Sequence, residues 1–236
     1  MQNLTLHDIH YTELDTEAMT WCATAQVRAH QPCDSRKTNI LLSAPQIASL
    51  QRQLQRAGVR LLLQALLKKL AISDSLDESS FPYQLTDSQY YVCFSHTSGH
   101  SKNATRIKYD RENTDIPYIK VAVIINSHRA SGIDIEINTV KWVVAQRFYH
   151  SNEMAILQTL SIIKRNNTVK LLWQIKESFI KIHQYTLAQG LGMDYSTIIP
   201  DLIKQPVENL PLLTISDVNS DYRIAAIHSQ QTIVVY

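Results

Sequence analysis

The sequence holds only five glycines in 236 residues, which argues against a chain built from many tight turns, because turns that need positive φ draw on glycine. It holds three cysteines, Cys22, Cys33 and Cys93, with no Cys-x-x-Cys and no pairing pattern, so they read as reduced, unpaired thiols. No apolar run approaches the roughly 18 residues that a membrane helix requires. Met1 to Tyr11 show neither the basic start nor the apolar centre of a signal peptide. Charge of one sign is also scarce: a net +2 is too mild to imply nucleic acid. The expectation is a cytoplasmic protein that engages neither membrane nor nucleic acid. What is present, 44% hydrophobic and 19% charged residues, is ordinary for a folded chain, and the length suits one large domain or two half-sized lobes.

Periodicity supplies the elements. Asn3–Tyr11 and Ala23–Ala29 read as strands. Ser43-Ala44-Pro45 starts a helix running to about Leu70, weakened at Gly58, with Ile47, Leu50, Leu54, Ala57, Leu61 and Ala65 as its apolar stripe. Arg52, Arg56 and Arg60 lie opposite that stripe. From Ser35 to Ser73 the chain carries Arg36, Lys37, those three arginines, Lys68 and Lys69, and no acid. Such a stretch is either a solvated basic face or a docking surface for phosphates. Tyr90–Phe94 reads as a strand delivering Ser95 and His96 to its end. Thr97 to Pro117 is polar and aperiodic, an exposed excursion longer than most loops. Val121–Asn126 is a strand, with Ser131–Ile137 its expected hairpin partner. Lys141–Leu160 is helical with a break near His150-Ser151, and a further helix runs from about Asn167 to before Gly190. Leu210–Ser216, Tyr222–His228 and Thr232–Tyr236 alternate as strands.

Two short stretches carry chemistry. In Gly132-Ile133-Asp134-Ile135-Glu136 the isoleucines take one face and the acids the other. On a strand the two carboxylates share a direction, with Cα atoms roughly 6.6 Å apart at about 3.3 Å per residue. That lets both reach one hard cation such as Mg²⁺, which takes oxygen ligands and keeps several waters. In Trp173-Gln174-Ile175-Lys176-Glu177-Ser178-Phe179-Ile180-Lys181, helical spacing puts Glu177 and Lys181 on one face. Taken singly, an acid pair on a strand is most often a solvated face, and Glu177 to Lys181 a common surface ion pair. Together they predict a metal site of Asp134, Glu136 and Glu177, with Lys181 one turn further on.

The pair of motifs resembles the 4′-phosphopantetheinyl transferases of the larger, surfactin-synthetase-activating type. Phe94-Ser95-His96 resembles the family's Ser-His motif, Arg147-Phe148-Tyr149 with Glu153 its Arg-Phe-Phe … Glu stretch, and Arg60-Leu61-Leu62-Leu63 its arginine-plus-leucine helix segment. The resemblance implies an α+β fold of two similar lobes related by a pseudo-two-fold axis, residues 1–131 and 132–236, with the active site between them in a monomer. It implies transfer of 4′-phosphopantetheine from coenzyme A to a serine of an acyl or peptidyl carrier protein, dependent on Mg²⁺ or Mn²⁺, releasing adenosine 3′,5′-bisphosphate. Asp134, Glu136 and Glu177 would hold the metal. Glu177, or a metal-bound water, would take the serine proton, and Lys181 would stabilise the leaving phosphate. Arg60, Ser95 and His96 would contact coenzyme A, and Lys176 is either a phosphate contact or a plain surface lysine. The exposed segment Lys141–Leu157, with Arg147, Trp142 and Phe148, would receive the carrier. One departure stands out: Phe81-Pro82-Tyr83 replaces the family's Gly-Lys-Pro. Two other classes share these residues, a metal-dependent phosphodiesterase or nuclease and a non-catalytic protein that binds coenzyme A or a carrier.

Overall fold

Period-2 alternation and period-3.6 stripes build two sheets, each with a long helix laid on one face. The computed structural model describes residues 3–30, 44–98, 109–110, 113–114, 119–204, 213–217, 220–227 and 231–236, which form a mixed α/β fold with two larger antiparallel sheets and six α-helices. Cys33, Arg36, Lys37 and most of the 97–117 excursion lie outside the described residues. Of that excursion the structure describes Thr97 and Ser98, and two short strands, β6 (Tyr109–Asp110) and β7 (Asn113–Thr114), paired antiparallel.

The first sheet runs β1 (Asn3–Asp15), β2 (Thr20–His30), β8 (Ile119–Asn126), β5 (Tyr91–Ser98), β4 (Tyr83–Leu85), β3 (Leu76–Asp77). Its outer face, with Ala23, Ala25, Val27, Val121 and Val123, packs on helix α1 (Ala44–Lys69) through Leu62 and Leu66. Gly58 does not weaken this helix as expected. A Cβ there would stand 2.6 Å from a Val27 methyl, so the missing side chain lets α1 sit close on β2. Arg52 and Arg56 are exposed on the far side.

The second sheet runs β10 (Leu213–Asp217), β11 (Ser220–Ile227), β12 (Thr232–Val235), β9 (Gly132–Ile135). It is covered by α4 (Ile162–His183), whose Leu172, Ile175 and Phe179 form the largest core with Leu191, Tyr195 and Tyr222. Phe179 stacks on Tyr195 at 5.0 Å and meets Tyr222 edge-on at 5.3 Å. Helices α2 (Trp142–Phe148), α3 (Ser151–Gln158), α5 (Leu187–Gly192) and α6 (Ile199–Lys204) complete this half. The break expected at His150 is a new helix start, where Glu153 accepts from the His150 N–H at 3.0 Å. α4 begins at Ile162, earlier than predicted, because Ile162 and Ile163 are exposed and interrupt the apolar stripe. It ends on Gln184 in the left-handed region, φ 58°, before Gly190 as expected, and Gly190 itself lies inside α5.

One expected pairing is absent. Both edges of β8 are filled, by β2 and β5, so β9 cannot form a hairpin with it. Residues 127–131 instead carry the chain from the first sheet to the second, where β9 pairs with β12. The two sheets then pack through a third apolar cluster, with Cys22, Cys93, Ala122 and Ile124 against Ile133, Ile135, Val234 and Tyr236. Burial pushes the Cys22 thiol up to about 12, against an opposing hydrogen bond with Thr12, and raises Cys93 as well. Iodoacetamide at pH 8 is therefore expected to spare both thiols in the native protein and label both in urea, read by peptide mass mapping. Labelling of either at its unfolded rate without denaturant would show that the seam between the sheets is open.

Candidate functional site

The site forms where β5 of the first sheet passes β9 of the second. Val92 and Phe94 face α1, whereas Cys93 belongs to the seam. Alternation therefore sends Ser95 and Thr97 toward β9. Ser95 Oγ donates to Asp134 Oδ1 at 3.0 Å and accepts from the Ile135 N–H at 3.1 Å. Thr97 Oγ1 donates to Glu136 Oε1 at 3.0 Å. The same oxygen accepts from the Asn138 backbone N–H at 2.7 Å and its side-chain amide at 3.0 Å. A two-residue step on one strand thus meets a two-residue step on the other. The sequence analysis missed Thr97, although Ser-x-Thr at strand spacing matches Asp-x-Glu and could have flagged it.

Helix α4 closes the site from the other side. Lys181 Nζ donates to the Ile133 carbonyl at 2.7 Å and to Asp134 Oδ1 at 3.0 Å. Gln174, also unremarked in the sequence, donates to the carbonyls of Asp134 at 3.3 Å and Gln231 at 2.6 Å. Glu177 lies between them on that face, half-buried. Close approach of α4 to β9 depends on Gly132, where a Cβ would stand 2.3 Å from the Ser178 carbonyl oxygen.

Electrostatics follow from this crowding. Burial holds the Glu177 carboxyl above its ordinary value; Lys181 opposes the shift, and Asp134 and Glu136 add to it. Burial alone would lower Lys181, but the charges of Asp134, Cys93 and Glu177 outweigh it and keep the ammonium protonated. Among the described residues no three His, Cys, Asp or Glu side chains stand close enough to hold a metal ion. The carboxylates of Asp134 and Glu136 are each turned to their own hydrogen-bond donors. Asp134, Glu136 and Glu177 are nonetheless oxygen donors of the kind a hard divalent cation would use, and Glu177 feels the charges of the other two.

The remaining sequence-predicted residues divide. His96, on the alternate face of β5 from Ser95, is exposed; partial withdrawal from water and then the Lys181 charge lower its pKa, favouring the neutral ring. Arg60 is on α1, where its guanidinium pairs with Glu78 and donates to the Arg56 carbonyl at 2.8 Å. Arg147 is exposed beside Phe148, while Trp142 and Phe148 are half-buried against the core, Trp142 under Arg165 at 4.5 Å.

Lys176 requires a correction. It is fully buried and is neither a phosphate contact nor a surface lysine. One step along the helix from Glu177 turns it by about 100°, away from β9 and into the core. Its ammonium lies 2.9 Å from Glu153 Oε1, donates to the carbonyls of Leu191 (2.8 Å) and Met193, and sits between the rings of Tyr149 and Tyr195, 5.1 Å from each. Glu153 Oε1 also accepts from the Tyr195 N–H at 2.9 Å. Burial lowers the Lys176 pKa while Glu153 opposes, so the pair is held by mutual satisfaction. Glu153 accordingly serves this pair and the start of α3 rather than the metal site.

Removing one partner of such a pair strands a buried charge and costs about 3–5 kcal/mol. Lys176→Met is expected to lose about that much stability in urea denaturation, and Lys181→Met clearly less; equal losses would contradict the division of roles. Gly132→Ala is expected to cost about 1–3 kcal/mol by forcing α4 and β9 apart, and an unchanged urea midpoint would show that the contact is not tight. No family model matches the chain, and no curated protein matches it.

Proposed function

We propose that this chain transfers 4′-phosphopantetheine from coenzyme A to a serine hydroxyl of an acyl or peptidyl carrier protein. The observation that carries the reading is the convergence of Asp134 and Lys181 on one hydrogen bond beside Glu177, a carboxyl with raised proton affinity. An attacking hydroxyl needs a base, and a departing phosphate needs a fixed positive charge. Glu177 and Lys181 supply these from adjacent turns of one helix.

Asp134, Glu136 and Glu177 are the residues that would hold Mg²⁺, which when bound neutralises diphosphate charge. The serine oxygen bonds to the phosphorus that bears pantetheine, and its proton goes to Glu177. The bond from that phosphorus to the bridging diphosphate oxygen breaks, and adenosine 3′,5′-bisphosphate leaves with the electron pair. Lys181, kept protonated by Asp134, faces the charge that develops on the leaving oxygens. Ser95 and Thr97 orient the two strand carboxylates, and His96, exposed on the other face of β5, is left for the coenzyme. Each half of the chain pairs an antiparallel sheet with one long helix, which supports reading residues 1–131 and 132–236 as two related lobes; cytoplasmic location and a monomeric state are further parts of the proposal.

The test is the intact mass of apo-carrier proteins incubated with this protein, coenzyme A and Mg²⁺. A phosphopantetheine-sized gain is expected, and Asp134→Asn or Glu177→Gln should reduce its rate by at least about 100-fold with the circular dichroism spectrum unchanged. Coenzyme A hydrolysed without any gain on a carrier would point to a phosphodiesterase instead. Full transfer by either variant would remove the carboxylates from the chemistry.

A further inference from the structure

The hydrogen-bond donors around the two strand acids fall on one oxygen of each. Asp134 Oδ1 accepts from Ser95 and from Lys181, both at 3.0 Å. Glu136 Oε1 accepts from Thr97 at 3.0 Å and from the backbone and side-chain N–H groups of Asn138 at 2.7 and 3.0 Å. Among the described residues no donor reaches Asp134 Oδ2 or Glu136 Oε2. A carboxylate oxygen has two lone pairs. Two donors occupy those of Asp134 Oδ1 and three crowd those of Glu136 Oε1, so each acid keeps one oxygen for a ligand.

Glu136 is the more firmly committed of the two. It is half-buried, and its backbone N–H is held by the Gln231 carbonyl at 3.4 Å. Thr97 is buried on β5, so the sheet fixes its hydroxyl. Asn138, exposed and two residues on, folds back onto the same oxygen through both of its N–H groups. Donors from two separate parts of the chain thus take Oε1 and leave Oε2.

That division bears on which cation the acids can take. Mg²⁺ demands a near-ideal octahedron and draws single oxygens from its carboxylates, filling the rest with water. Ca²⁺ takes more ligands in looser geometry and often both oxygens of one carboxylate. An acid pinned by Oε1 suits the smaller ion, whereas an acid free to turn can offer both oxygens to the larger. We infer that Thr97 and Asn138 are positioning residues that confine Glu136 to one-oxygen ligation and so select Mg²⁺ against Ca²⁺. The inference rests on the metal part of the reading above, and it concerns the choice of ion rather than the reaction that the ion serves.

Direct cation binding to the full chain, without coenzyme A or carrier, tests it. Mn²⁺, which shares the octahedral oxygen preference of Mg²⁺, is the probe, its bound fraction read by electron paramagnetic resonance while Mg²⁺ or Ca²⁺ is titrated in to displace it. Thr97→Val removes the hydroxyl at nearly constant volume, and Asn138→Ala removes the side-chain donor from an exposed position. Each should move the ratio of Ca²⁺ to Mg²⁺ affinity toward Ca²⁺, and the two together by about tenfold, the worth of a hydrogen bond to a charged group. Thr97→Ser, which restores the hydroxyl, should return the parent's ratio. A shifted ratio in a protein that modifies no carrier would sustain the inference and sink the transferase reading. Variants that weaken Mg²⁺ and Ca²⁺ equally, or leave both unchanged, would overturn the inference while carrier modification still judges the reaction. A parent that holds no Mn²⁺ would overturn the inference together with the metal site.

Discussion

The Ser95 hydroxyl is the joint at which the two sheets meet, and its geometry constrains everything around it. It gives its proton to Asp134 and takes one from the Ile135 N–H, so both of its hydrogen-bonding capacities are spent across the seam. Asp134, buried on β9, needs that donor because an unsatisfied buried carboxylate is costly. The arrangement works only if β5 and β9 present the correct parity to each other. A one-residue slip of either strand would turn Ser95 and Thr97 toward α1 and set Phe94 and His96 against the acids. Apolar contacts on the same faces, Cys93 and Ile124 against Ile133 and Ile135, fix that parity without reference to the polar pairs. The hydrophobic seam sets the register, and the hydrogen bonds make use of it.

Helix α4 divides its circumference among three tasks. Leu172, Ile175 and Phe179 bury against the second half's core, Gln174 and Lys181 reach β9, and Lys176 turns inward to Glu153. The buried pair ties the middle of α4 to the start of α3 and, through the carbonyls of Leu191 and Met193, to the segment that follows α5. These three anchors leave α4 little freedom to rotate about its axis. Glu177 is therefore placed by neighbours that are not part of the site, and it can occupy a position that burial makes unfavourable for its charge. Gly132 completes the placement by allowing backbone to touch backbone.

Local pattern was legible in the sequence, and choice of partner was not. Strands and helices with clean periodicity, such as α1 and β12, begin and end close to where the pattern put them, although α1 buries Val59, Leu62, Leu63, Leu66 and Leu67 and leaves Ala57 of the expected stripe exposed. Asp134, Glu136, Glu177 and Lys181 were also visible, because strand and helix spacing fixes which side chains share a face. The hairpin of β8 with β9 failed because nothing local to Ser127–Ser131 reports that β8 has both edges occupied by strands distant in sequence. Lys176 misled for a related reason: a lysine next to a site glutamate looks available until Glu153 and two carbonyls are folded around it. His96 and Ser95 were read together as a Ser-His motif, and strand alternation sets their side chains on opposite faces of β5. Thr97 and Gln174 carry no distinctive chemistry alone and acquire roles only from what they touch.

The charges of the cleft are balanced in number and segregated in space. Asp134, Glu136 and Glu177 stand against Lys181, Lys170 and Lys120, yet among the described residues the ion pair they form is that of Lys181 with Asp134. Glu136 is satisfied instead by the Thr97 hydroxyl and two N–H groups of Asn138, whereas Glu177 and the two further lysines keep more of the cost of partial desolvation. On the proposed reading, keeping acids and lysines apart would suit a ligand that is itself segregated, with a divalent cation against the carboxylates and phosphate oxygens against the ammonium groups. A lone cation would satisfy the carboxylates and a lone anion the ammonium groups, and either would leave the other set exposed to its own repulsion. Glu136, whose charge reaches Glu177 on one side and Lys170 on the other, is the residue through which the acids and the lysines of the cleft are coupled.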